Sequence, residues 1–379
     1  MVTLADLGDA LLTTPALQTL RAAQPHAHIT ILTTPVGIAA LRDQPFYDEI
    51  IAFEKQRFNL PQQLLRPNNL LSAARLWRQL RQQPFDACLI LHHLTTWFGA
   101  LKYAALAFAA GAERRYGRDN GRGFFLTDRV LDPGFGEHHQ AAYWLAIVAL
   151  LGGHGTPTPT FQVNAPDQRT AALLLADHVD GNRPLVAMHP GAGQFAPARK
   201  WSPTRFAALA DALIEDGVQV VLVGGAEEAP LRQTVLGAMQ YAAAVRDLGG
   251  HTSLGELGAV LQRCTLFVGN DSGVAHLAGS VGIPVVALFG PTDVHAWGPY
   301  GGASWENAGE FPNGVAVVHS GPHRALQATI ACSPCIYRGH ALGTPHGCPD
   351  RTCLHRIDVA QPLALIRQRL RELSGELCA

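Results

Sequence analysis

Apolar positions along this chain fall into short continuous runs that alternate with longer stretches at helical spacing. In the N-terminal half, His28–Thr33 is a run rich in β-branched residues and reads as a strand. Glu49–Phe53 and Asp86–Leu91 read the same way, and Thr14–Ala23 and Leu70–Gln82 read as helices, with Pro15 tolerated in a first turn. The second half repeats the rhythm. Strands are predicted at Leu185–His189, Val218–Gly224, Leu266–Val268 and Pro284–Phe289, with helices at Pro203–Asp216, Leu254–Arg263 and Val274–Val281. Alternation of this kind predicts α/β domains built on doubly wound parallel sheets. Between the halves, Gly152–Asp167 holds Pro157, Pro159 and Pro166 among Gly and Thr, a linker composition. Pro362–Leu373 is a last, amphipathic helix.

Length and charge narrow the class. At 379 residues the chain exceeds one ordinary core, so two domains are expected. A net charge of −1 argues against nucleic acid as a bulk electrostatic partner. The longest apolar stretches, Tyr103–Ala112 and Tyr143–Gly153, fall well short of the roughly 20 residues of a spanning helix. No secretory leader is evident, so a cytoplasmic location is expected, with at most peripheral contact at the inner face of the membrane.

In parallel sheets, ligands bind beyond the carboxyl ends of the strands. Three loops of the second half lie there. His189–Trp201 carries Gly191, Arg199 and Lys200, where glycine lets backbone approach an anion and Lys200 offers a point charge. Gly224–Glu228 brings carboxylates that suit a ribose diol, or that simply favour the start of the next helix. Asp271, Ser272 and Gly273 fall where a strand hands over to a helix, with His276 one turn on. Free N–H groups and the helix dipole suit that place to a phosphate. Taken singly, each loop reads as an ordinary turn, Lys200 as surface and His276 as core; together they point to one anionic ligand.

In the first half, Asp9 follows Gly8 at the end of the opening strand. It reads either as the N-cap of a helix beginning near Thr13 or as a general base. Cys332, Cys335, Cys348 and Cys353 cluster, a spacing that suits structural zinc or free thiols packed in a loop. Gly-x-Gly-x-x-Gly is missing after the opening strand, which disfavours an NAD-dependent oxidoreductase.

Gly8-Asp-Ala-Leu-Leu-Thr-Thr-Pro-Ala-Leu17 resembles the N-terminal signature of the family 9 glycosyltransferases, which include the ADP-heptose:lipopolysaccharide heptosyltransferases. His189-Pro-Gly-Ala192 with Lys200-Trp201, Gly269-Asn-Asp-Ser-Gly-Val-Ala-His276, and Leu288-Phe-Gly-Pro-Thr-Asp293 with Trp297-Gly-Pro299 are similar to that family's donor-domain motifs. The resemblance runs in order along nearly the whole chain and is weak in the linker and over 301–330. It implies a GT-B fold: an acceptor-binding Rossmann-like domain over residues 1–160 and a nucleotide-sugar domain over 168–355. It also implies that the last segment, 356–379, returns toward the first domain. Only Met1–Leu7 precede the Gly-Asp turn, fewer residues than the family usually has, so the opening strand is expected to be short and central.

The resemblance further implies sugar transfer with inversion and without a catalytic metal or other cofactor. The donor would be a nucleotide sugar, ADP-heptose favoured, and the acceptor a lipid-linked or oligosaccharide glycan such as the lipopolysaccharide core. Candidate catalytic residues are Asp9 and Lys200. Candidate donor-binding residues are Gly8, Gly191, Lys200, Glu228, Asp271, Ser272, Gly273 and His276. Lys102, Arg114, Arg115, Arg118 and Arg122 could meet a phosphorylated acceptor, but surface solvation is the expectation for all five. Competing readings are a nucleotide-sugar epimerase of the same architecture and a non-catalytic nucleotide-sugar-binding protein.

Overall fold

In the computed structural model, which describes residues 1–64, 66–193, 196–344 and 346–375, the chain divides into two units. The first is built from Met1–Pro157 together with Gly339–Leu342, the second from Thr158–Arg338 and the residues from Gly343 on. The division after Pro157 falls inside the proline-rich 152–167 stretch.

The first unit is a parallel sheet with β1 (Val2–Thr3), β2 (Thr30–Thr33), β3 (Glu49–Ala52), β4 (Ala87–Ile90), β5 (Arg114–Asp119) and β6 (Asp128–Leu131), in the order β3-β2-β1-β4-β5-β6. β1 is central, as expected, and is two residues long. Side chains brace the segment it opens: Thr33 Oγ1 donates to the Thr3 carbonyl at 2.7 Å and Thr34 Oγ1 to that of Ala5 at 2.8 Å. The helices Pro67–Arg81 and Trp97–Ala109 cover one face, burying Leu80, Tyr103 and Ala107. The helices Thr14–Ala23 and Gln140–Ala149 cover the other, burying Leu17, Tyr143 and Ile147. Trp97–Ala109 and Gln140–Ala149 account for the two long apolar stretches. They are apolar nearly all round, which mutes the 3.6-residue period. The hydroxyl of Thr96 accepts from the Gly99 N–H at 3.0 Å and so caps the first of them.

The second unit carries β7 (Leu185–His189), β8 (Gln219–Leu222), β9 (Val245–Asp247), β10 (Leu266–Asn270), β11 (Val285–Phe289), β12 (Glu306–Phe311), β13 (Val315–Ser320) and β14 (His323–Ala328). Their order is β12-β13-β14-β11-β10-β7-β8-β9, parallel from β14 to β9 and antiparallel through β12, β13 and β14. β7, β10 and β11 are buried along their whole length, the expected state of central parallel strands. The antiparallel extension lies in the stretch where the family resemblance is weak. The last helix, Ala360–Ser374, buries Leu365 and Ile366 in this unit's core, and Arg367 holds Asp216 through bonds of 2.7 and 2.8 Å. Among the parallel strands of each sheet the order reverses once, between β1 and β4 and between β7 and β10, and those reversal points are where α/β proteins bind ligands. No described helix is long and apolar enough to cross a membrane.

Candidate active site

The second unit's reversal point is crossed by side chains from three loops. His189 ends β7, and its Nδ1 lies 3.1 Å from Ser272 Oγ, just beyond β10. Ser272 caps the helix Gly273–Ser280, its hydroxyl accepting from the Ala275 N–H at 3.4 Å. The N-terminal N–H groups of that helix therefore open at the sheet's carboxyl edge. The helix begins at Gly273, one residue earlier than its apolar periodicity indicated, because Ser272 supplies the cap.

Glu228 is turned inward rather than displayed. Its Oε2 lies 2.9 Å from His189 Nε2 and accepts from the Gly225 N–H at 3.1 Å. Burial alone would raise its carboxyl, but the bonds from His189 and from the Gly225 and Gly193 amides outweigh it and hold the group at about 2. Gly191 is required by this brace, since a Cβ there would overlap the Glu228 carboxylate. Gly224, at φ +145°, would set a Cβ 2.5 Å from Glu228 Oε2 in a backbone region that side chains rarely adopt. Gln194 and Phe195 of the His189–Trp201 loop lie outside the described residues.

Asn270, fully buried, joins the first loop to the third. Its Oδ1 accepts from the Trp201 N–H at 2.9 Å, and its Nδ2 donates to the Pro190 carbonyl at 2.7 Å. Asp271 accepts from Thr292 Oγ1 at 2.6 Å and from Arg199 at 3.3 Å. Lys200 thus stands between two residues that are each bonded to the Asn270–Asp271 turn. Its ammonium makes no hydrogen bond or ion pair with any described residue and is half-buried. His276 is buried, and burial lowers it to about 4 despite the nearby Asp271 charge, so it is neutral at ordinary pH. Sequence reasoning assigned no role to Asn270, Arg199, Thr292 or the His189 ring. The Gly-Asn-Asp-Ser motif signalled Asn270, because an amide can bridge two backbone segments at once.

Asp9 and Gly8 belong to the first unit, inside the short helix Leu7–Leu11 that follows β1. The N-cap reading of Asp9 is corrected: Asp6 stands at the N-cap position of that helix, and Thr13 precedes the next one, Thr14–Ala23. Close by, Tyr103 is pushed well above its ordinary range by burial, with the charge of Asp9 adding to the shift. Tyr103 stacks on His92 at 4.8 Å. His92 is lowered to about 3 by burial, with Lys55, Lys102 and Arg118 adding positive charge. Lys102 is lowered to about 8, again by burial first and by Lys55 second. Asp9, His92, Tyr103 and Lys102 thus gather near the β1/β4 reversal point.

Of the five basic candidates, Lys102 departs from the expectation of surface solvation by its half-burial, and Arg118 departs furthest. It is 2% exposed, its Nε lies 3.2 Å from Asp132, and its guanidinium sits 4.2 Å over the Tyr143 ring. Arg114 pairs with Asp128, and Arg115 donates to the Phe125 carbonyl at 2.7 Å. His93, Asp132 and His340 form the group of described residues with metal-ligand geometry. Arg118 already supplies a cation to Asp132 there, and the network ties residues 339–342 to this unit through a Phe135 N–H to Gly339 carbonyl bond of 2.9 Å. Cys332, Cys335, Cys348 and Cys353 are free thiols that line one cavity of about 330 Å³, and burial pushes Cys353 up to about 11. Cys378 lies outside the described residues.

The chain matches the family model for glycosyltransferase family 9 (heptosyltransferase) over residues 73–313. It is 30% identical over 298 residues to lipopolysaccharide heptosyltransferase 2 of Salmonella typhimurium, covering 76% of this chain and 80% of that protein. The Escherichia coli K12 protein of the same name is 28% identical over 295 residues, covering 76% and 80%. Among solved structures, a family 9 glycosyl transferase from Veillonella parvula aligns with a TM-score of 0.73 at 23% identity, covering 98% of this chain and 96% of that one. The E. coli ADP-heptose lps heptosyltransferase II aligns at 0.69 with 22% identity, covering 100% and 98%. With two doubly wound units and a family match that spans most of the chain, the chain belongs to glycosyltransferase family 9 and is a glycosyltransferase of the GT-B fold.

Proposed function

We propose that this enzyme transfers a heptose from ADP-heptose onto an acceptor sugar of the lipopolysaccharide core, with inversion and without a catalytic metal. The names of the relatives support the donor and the glycan. The observation that carries the chemistry is the pinning of Lys200 between Arg199 and Trp201, both bonded to the turn that opens the helix Gly273–Ser280. A leaving diphosphate there meets an ammonium that has no partner among the described residues, N-terminal amides and the positive end of a helix dipole. Preorganised donors of this kind are each worth about 2.7–4 kcal/mol in comparable sites, enough to offset the developing charge without a metal. His276, neutral at working pH, takes a sugar hydroxyl or phosphate oxygen. Glu228 holds His189 and the Gly225 loop in shape rather than reaching the ribose.

Asp9 removes the proton of the acceptor hydroxyl as that oxygen attacks the anomeric carbon. The carbon–oxygen bond to ADP breaks on the opposite face, which inverts the centre. The reaction takes place on the cytoplasmic side, where nucleotide sugars are made. Purified enzyme with ADP-heptose should release ADP only when a core acceptor is present, and the rate should survive a chelator. Asp9→Asn should retain donor binding while turnover falls by orders of magnitude. ADP release without acceptor, or an unchanged rate in Asp9→Asn, overturns the reading.

A further inference from the structure

We propose that the outward faces of the helices Pro67–Arg81 and Trp97–Ala109, in the first unit, form a surface that docks on an anionic lipid bilayer. This does not rest on the transferase reading. Along Trp97–Ala109 the exposed stripe is Trp97, Leu101, Ala105 and Phe108, spaced i, i+4, i+8 and i+11, with no polar member. Trp97 is 60% exposed, Leu101 57% and Phe108 48%. From Trp97 to Phe108 the stripe runs about 16 Å at 1.5 Å per residue. Its opposite face is already occupied, with Tyr103, Ala104 and Ala107 buried in the sheet's core.

The neighbouring helix repeats the arrangement. Asn69, Ala73, Leu76 and Leu80 turn inward, which leaves Leu70, Leu71 and Trp77 exposed although the core has no further use for them. The C-terminal ends of the two helices are neighbours: the Arg81 guanidinium approaches Gly111, just past the end of Trp97–Ala109. At three points an arginine lies over an exposed ring: Arg81 5.5 Å from Trp77, Arg115 5.2 Å from Phe108 and Arg122 6.0 Å from Trp97.

Charge decides the occupant. From Lys55 to Phe85 the chain has no Asp or Glu; Lys55 and Arg57 pair with Asp6 and Glu54 outside it, which leaves Arg66, Arg75, Arg78 and Arg81 as the charge at and along the helix Pro67–Arg81, in a protein whose net charge is −1. The acidic neighbours, Glu54, Asp86 and Glu113, stand at the margins of this stretch and of the helices. Apolar and aromatic side chains among arginines, without carboxylates, match the interface of a membrane bearing anionic headgroups. A second copy of the chain fits poorly, because a two-fold contact would set this basic surface against itself. A free polyanion would leave the apolar stripe unused.

The test is vesicle flotation of the full-length protein, with phosphatidylcholine alone and with phosphatidylcholine mixed with phosphatidylglycerol. The expected result is flotation with the mixed vesicles only, weakening as salt rises. Arg75→Gln with Arg78→Gln should weaken binding about fivefold per arginine. Leu101→Gln with Phe108→Gln should abolish flotation while the Tm and ADP binding are unchanged. Equal flotation with both vesicle types, none with either, or insensitivity to both double variants overturns the proposal. So does a dimer in light scattering that the same variants break, or binding to heparin without binding to vesicles.

Discussion

The His189 imidazole lies 3.1 Å from Ser272 Oγ through Nδ1, a contact that ties the end of β7 to the start of the helix after β10. The other ring nitrogen, Nε2, is 2.9 Å from Glu228 in the loop after β8. One buried side chain therefore fixes three loops at the place where the sheet order reverses. Loops that carry binding groups are normally the most mobile part of an α/β domain. Here they are braced from below, so the amides that would meet a diphosphate are preorganised.

This brace has a pH signature. Glu228 sits at about 2 in the folded protein, below its ordinary value of 4.5. A depressed carboxyl contributes stability that is full above the unfolded value and disappears as pH falls toward the folded one. Thermal stability should therefore decline between about pH 4.5 and about 2, and Glu228→Gln should flatten that part of the profile while lowering the Tm at neutral pH. Differential scanning calorimetry across that range reads it. A Gln variant whose profile parallels the wild type would remove Glu228 from the brace.

Gly191→Ala is the steric counterpart. The added Cβ would overlap the Glu228 carboxylate, so either the loop lifts or the His189 contact breaks. Overpacking of this kind typically costs about 1–3 kcal/mol. The variant should lose Tm and bind ADP more weakly, read by calorimetry and by titration. Gly181→Ala, where a Cβ meets nothing, should change neither.

The parallel core was legible because its strands are continuous apolar runs ended by polar turns. Leu185–His189 matched its predicted bounds, and Leu266–Val268 was short only by Gly269 and Asn270. Those two are polar or small yet fully inside, since Asn270 spends its amide on Pro190 and Trp201 rather than on water. Apolarity cannot reveal such a residue; hydrogen-bond partners can. β5 was missed for a related reason: Arg114, Arg115 and Arg118 make it look like a loop, although Arg118 is buried against Asp132. Gly8-Asp9 was expected to end the opening strand, but β1 ends at Thr3 and the pair lies inside the helix Leu7–Leu11, which is too short to show a period.

Neighbouring cations of the donor loop should separate by assay. Arg199 neutralises Asp271, whose side chain is almost completely buried, at 3.3 Å. Arg199→Ala strips a buried carboxylate of its charge partner and should cost about 1–3 kcal/mol of stability. Lys200 has no partner to lose among the described residues, so Lys200→Ala should leave the Tm unchanged. It should instead lower kcat by about 10²–10³, with weaker donor binding. A Lys200→Ala enzyme of normal rate would make this ammonium ordinary surface.

Lys102 extends the argument to the acceptor. Burial, with the Lys55 charge second, lowers its ammonium to about 8, and it lies in the group with His92 and Tyr103 near Asp9. A lowered lysine is cationic below that value and neutral above it. If it meets an anionic acceptor, the acceptor KM should rise as pH passes about 8, while the KM for the donor stays flat. Lys102→Arg keeps its charge throughout this range, so its acceptor KM should lose the inflection. Lys102→Met should behave at pH 7 as the wild type does at high pH. Initial-rate kinetics at saturating donor from pH 6 to about 9.5 separate these outcomes, because below pH 7 Lys102 is fully charged and above about 9 it is mostly neutral. An inflection that persists in Lys102→Arg would belong to another group, and Lys102 would then act only through its packing against Tyr103.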